Sequence, residues 1–222
     1  MSQTIITAVD ETNFDSFKRI VDCLDPKLCM IKVGSVAFNS IGQDAIFYAA
    51  SKGFDIFLDL KLHDIPNTVK KSIEGLKFLP IKMLTIHISG GLEMMKAAVL
   101  AAKDKKIEIF GVTALTSLSN KDTNIIFKRN TKDQVDVMLD LAQEADIDGV
   151  VCSPHELEIV TKRKSLKSIT PGIRLSKNID DQIRVMTPKE AINKGSNYLV
   201  IGRPITAAND INRALNEIYN LI

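Results

Sequence analysis

An acid, a base and a second acid fall within six residues of a mostly apolar stretch: Asp59, Lys61 and Asp64, in the segment FLDLKLHDIP at 57–66. Residues 55–62 read as a buried strand, and side chains two apart on a strand share a face. Asp59 and Lys61 therefore point the same way, with Asp64 just past the strand's end. Burying formal charges is costly unless they pair. The pattern marks an active site, with acid and base at alternate positions of one strand.

Polar residues recur where other apolar runs end. Asp10 closes the first run and Lys32 lies in the second. Thr116 and Ser117 follow the fifth, Arg174 follows the seventh, and Gly202 and Arg203 lie in the eighth. Each alone has a plain reading: Asp10 can cap a helix, and Lys32 can reach past its apolar stem to water. Jointly they suit one mouth. Pro171-Gly172-Ile173-Arg174 and Ile201-Gly202-Arg203-Pro204 suit an oxyanion, because glycine lets the backbone approach and a guanidinium binds phosphate oxygens as a fork. A phosphorylated small molecule is the expected ligand.

The elements that must hold these residues are read from hydrophobic period. Apolar runs at 5–10, 30–35, 55–62, 83–88, 107–115, 149–153, 168–173 and 198–205 are near-continuous, as parallel strands covered on both faces require. Between them, 14–24, 37–52, 67–78, 92–103, 132–145, 154–161, 188–193 and 209–221 carry helical spacing; Phe14, Phe17, Ile20, Val21 and Leu24 form one stripe. Ser153-Pro154 and Thr187-Pro188 are helix starts. Eight strand-then-helix units without a linker predict one α/β domain over 1–222, a (β/α)₈ TIM barrel. A doubly wound open sheet is the alternative, weakened by the lack of Gly-x-Gly-x-x-Gly after the first strand. Two longer loops, 116–131 and 174–187, follow strand ends, where barrel sites and lids are built.

Composition excludes several functions. The formal net charge is +2, which gives no basic field for nucleic acid or a membrane surface. There is no Trp for a base-stacking platform. No apolar run approaches the roughly 18 residues of a membrane span, and the N-terminus lacks signal-peptide regions, so a cytoplasmic protein is expected. Cys23, Cys29 and Cys152 are read as reduced thiols. His63, His87 and His155 are read as ordinary polar core or surface residues, and no metal is expected, because an ammonium stands where a cation would sit.

Residues 59–68, DLKLHDIPNT, resemble the D-x-K-x-x-D-I-P-x-T motif of the orotidine 5′-phosphate decarboxylase family. The resemblance continues through Val9-Asp10, Lys32-Val33-Gly34, His87-x-x-Gly90-Gly91, Leu115-Thr116-Ser117, Pro171-Gly172-Ile173-Arg174, Asp181-Gln182, Thr187-Pro188 and Gly202-Arg203-Pro204-Ile205, in order along the chain and in the shorter bacterial form. It implies a barrel homodimer that uses no metal or cofactor and turns orotidine 5′-monophosphate into UMP and CO₂. It also implies roles. Lys61 is the proton donor, flanked by Asp59 and by Asp64 from the other subunit; Ile65 and Thr68 belong to the same crossing segment. Asp10 and Lys32 hold ribose hydroxyls, and Thr116 and Ser117 face the pyrimidine. Arg203, the Gly202 N–H and Gln182 bind phosphate, and Arg174 begins a closing loop. The alternatives are a sugar-phosphate decarboxylase or synthase using Mg²⁺, a non-catalytic nucleotide-sensing barrel, and a scaffold without ligand.

Overall fold

A computed structural model describes residues 4–175 and 185–222. Among them, β1 (Ile5–Ala8), β2 (Cys29–Gly34), β3 (Ile56–Leu62), β4 (Met83–His87), β5 (Glu108–Val112), β6 (Gly149–Val151), β7 (Lys167–Thr170) and β8 (Tyr198–Ile201) close into an all-parallel barrel. β1 pairs with β8 through Ile5 and Leu199. The outer ring begins with α1 (Phe14–Asp22), α2 (Ser35–Ile41), α3 (Gln43–Ser51) and α4 (Pro66–Gly75). It continues with α5 (Leu92–Lys103), α6 (Asn120–Phe127), α7 (Thr131–Glu144) and α8 (Leu157–Val160), and ends with α9 (Pro188–Asn193), α10 (Arg203–Thr206) and α11 (Ile211–Tyr219).

Side-chain alternation divides the core in two. Outward residues such as Ile5, Ile31, Leu58 and Leu84 pack under the helices, where Phe17, Ile20 and Val21 of α1 meet them. Inward residues Ile6, Met30, Phe57, Met83, Phe110 and Ile169 fill the barrel. Phe57 and Phe110 meet edge to face at 6.5 Å, a geometry that ring quadrupoles favour. The next inward position up three of these strands is polar: Lys32 follows Met30, Asp59 follows Phe57, and Thr85 follows Met83. An apolar floor thus carries a charged layer, as barrels that work at their C-terminal mouth require.

Several expected elements differ, four of them in more than one to three residues at an end. The helix expected over 37–52 is two, α2 and α3, because Gly42 takes φ 79° and ψ −150° between them, a region essentially reserved for glycine. The expected loop 116–131 contains α6, opened by a capping box in which Ser119 and Asp122 bond each other's backbone N–H. The strand expected over 198–205 stops at Ile201; the chain bends at Gly202 and enters α10, with Pro204 in its first turn, where a missing N–H costs nothing. The helix expected over 154–161 is a 3₁₀ turn followed by the short α8. Loop 174–187 is pinned at its base, where Arg174 N–H donates to Met186 O at 3.0 Å and Met186 N–H to Gly172 O at 3.1 Å. No helix among the described residues is long and apolar enough to cross a membrane.

Candidate active site

Four charged side chains alternate in sign across the mouth. Lys32 Nζ donates to Asp10 Oδ1 at 2.9 Å and lies 3.8 Å from Asp59 Oδ2. The same Asp59 oxygen accepts from Lys61 Nζ at 2.8 Å. Asp59 is only 8% exposed, and its other oxygen accepts from the Thr85 hydroxyl at 2.9 Å. Burial pushes the Asp59 carboxyl up, but Lys32, Lys61 and the hydrogen bonds from Lys61 and Thr85 together hold it below the usual carboxylate range. Asp59 is therefore an anion at neutral pH, and the Lys61 side chain, 35% exposed, meets the cavity.

Two backbone features permit this packing. A Cβ at Gly34 would sit 2.7 Å from Lys32 Nζ and 3.1 Å from Asp10 Oδ1, so a methyl there would push the ammonium from its place beside Asp10. In β3, Leu58 pairs with Leu84 and Leu62 with Ile86, so four steps of β3 span two steps of β4. The surplus forms a bulge in which Lys61 takes φ 52°. Regular alternation was expected here; a bulge of two residues keeps the parity of the pattern, so Asp59 and Lys61 still meet.

A cavity of about 510 Å³ opens above this layer. Asp10, Lys32, Asp59, Lys61, Thr116, Arg174, Gly202 and Arg203 line it, over the apolar Phe57, Val151 and Val200. The charged side chains of β2 and β3 line one part of it, and the glycine–arginine ends of β7 and β8 another. Ser117 is exposed and does not line it, nor do Asp64, Ile65 and Thr68, which form an exposed ridge at the start of α4. The ridge is anchored by Asp64, whose Oδ1 accepts from Ile65 N–H at 2.7 Å, and Ile65 is 66% exposed. Gln182 lies outside the described residues.

The histidines stand apart from the cavity lining, as their plain reading expects. The His63 and His87 rings pack at 5.2 Å. Burial and the nearby His63 and Lys61 lower the His87 pKa, which keeps that ring neutral at physiological pH. The three cysteines are free thiols; burial pushes Cys29 up to about 12, so it is inert. Thr85 and Gly34 were missed as site residues. Gly34 was visible only as part of a Lys-Val-Gly run, and Thr85 carried no signal beyond being a threonine in a strand.

Residues 3–218 match the family model described as Orotidine 5′-phosphate decarboxylase / HUMPS family. A protein named orotidine 5′-phosphate decarboxylase from Wolbachia pipientis is 44% identical over 93% of this chain and 92% of its own length. One of the same name from Mannheimia succiniciproducens is 44% identical over the whole of both chains. The crystal structure of orotidine 5′-phosphate decarboxylase from Lactobacillus acidophilus superposes with a TM-score of 0.86 at 33% identity, covering 99% of each chain.

Proposed function

The chain belongs to the Orotidine 5′-phosphate decarboxylase / HUMPS family, and from that premise we propose that it converts orotidine 5′-monophosphate to UMP and CO₂, the last step of de novo UMP synthesis. One observation carries the reading: the Lys61 ammonium stands 2.8 Å from the buried Asp59 carboxylate at the cavity wall.

The chemistry follows from that pair. When the bond from C6 to the carboxyl carbon breaks, its electron pair stays on C6, with no adjacent carbonyl to take it up. The barrier then falls through fixed charge aimed at the carbon. Lys61 supplies the charge, passes its proton to C6 as the new C–H bond forms, and regains a proton from water. Asp59 orients Lys61, and its repulsion of the substrate carboxylate is relieved as CO₂ leaves. Asp10 and Lys32 hold the ribose hydroxyls, and Thr116, which lines the cavity, reads the pyrimidine; Ser117, exposed and off the lining, takes no part in that contact. Gly202 N–H, Arg203 and Gln182 take the phosphate, with Arg174 at the start of the closing loop, and the phosphate's binding energy is available to lower the barrier at the distant ring.

The protein works as a cytoplasmic homodimer in this reading. Asp64, Ile65 and Thr68 are too exposed to serve their own cavity; each subunit lends them to the other, placing a second carboxylate by Lys61. No metal or organic cofactor takes part.

The test is turnover of orotidine 5′-monophosphate by purified protein in EDTA, followed by loss of orotate absorbance. Full activity in chelator is expected. No turnover would refute the proposal, and a sugar-phosphate activity abolished by chelator would assign the Mg²⁺-dependent alternative instead.

A further inference from the structure

We propose that Thr85 is a positioning residue for the reaction, fixing the Asp59–Lys61 pair through a single hydroxyl. The inference rests on the decarboxylase reading for its kinetic arm, but its geometry is independent of it.

The bulge in β3 takes the Lys61 backbone N–H out of the regular ladder with β4. Thr85 stands opposite, between the paired Leu84 and Ile86, and its Oγ1 accepts that N–H at 2.9 Å. An amide N–H can only donate, so the threonine's one proton is left for Asp59 Oδ1, 2.9 Å away. The direction of both bonds is fixed by chemistry. Thr85 is fully buried, so its hydroxyl has no solvent to turn to and is held by its two partners, the Lys61 N–H and Asp59 Oδ1. The result is a closed link from the Lys61 backbone through Thr85 to Asp59 and, through Asp59 Oδ2, back to Lys61 Nζ. It sets which carboxylate oxygen faces the ammonium and holds the backbone of Lys61 in its left-handed conformation.

Thr85→Val keeps the shape and removes the hydroxyl, leaving a buried carboxylate oxygen and a buried N–H unpaired. A hydrogen bond to a charged group corresponds to about 10- to 100-fold in rate, so kcat should fall by that factor while KM stays within about threefold. Loss of a bond donated to the anion also moves the acid limb of the kcat/KM profile to higher pH. Thr85→Ser should restore both. If Val at this position prevents folding, Thr85→Ala against Thr85→Ser decides on the same readings. A folded Val or Ala variant with unchanged kcat and acid limb, or a Ser variant as impaired as either, would overturn the proposal. Wild-type turnover, measured alongside, separates this failure from failure of the decarboxylase reading.

Discussion

Arg203 opens α10 after β8, three strands around the barrel from the β3 that carries Lys61, so its contribution should scale with the substrate's phosphate alone. A guanidinium–phosphate fork is a charge-assisted pair, and Arg203→Ala should cost about 10- to 100-fold in kcat/KM toward the nucleotide. Orotidine, which lacks the phosphate, should be turned over about equally by variant and wild type. An equal loss on both substrates would place Arg203 elsewhere in the mechanism. At this scale the sequence was most informative where chemistry and period coincide: an acid and a base two apart in an apolar strand have few other uses. Thr85 was illegible for the converse reason, since threonine is an ordinary strand former and its two bonds depend on a bulge in the neighbouring strand.

The bulge itself shows what period cannot reveal about elements. Nothing in FLDLKLHDIP marks four steps of β3 set against two of β4; no glycine or proline falls within the strand, and parity hides the surplus. Gly42 was the opposite case. The glycine is visible in the sequence, but the apolar spacing of 37–52 runs on through it and gives no sign of a break. Gly42→Ala should strain a backbone position that only glycine occupies easily, at about 1–3 kcal/mol. No atom within 4 Å would clash with the added methyl, so the loss is conformational. The melting temperature should fall by roughly 2–4 °C per kcal/mol, with kcat unchanged. An equal or higher melting temperature would show that the break is relaxed. α6 opens on a Ser119-x-x-Asp122 capping box, but its stretch lacks a buried stripe, since Ile125 and Ile126 are exposed, and so it carries no amphipathic period to read.

Across the whole molecule, the alternation of eight apolar runs with amphipathic stretches made the barrel legible, because each strand must be covered outside and filled inside. Closure of β1 on β8 was implied only by the count. The partition within it, apolar floor below and charged layer above, is what lets a buried anion and an ammonium share one mouth. The Asp64–Thr68 ridge is exposed and lies off the lining of its own cavity, a feature that a symmetric pair would use twice. The most direct measurement of the central claim is therefore activity in a mixture of two variants, Lys61→Ala and Asp64→Ala. Alone, each should turn over orotidine 5′-monophosphate at least about 10³-fold more slowly than wild type while still binding UMP. Mixed and allowed to exchange subunits, half the dimers would carry one intact site of two, restoring about a quarter of wild-type activity. A Lys61→Ala protein that turns over at a near-normal rate, or a mixture no more active than its parts, would contradict the account.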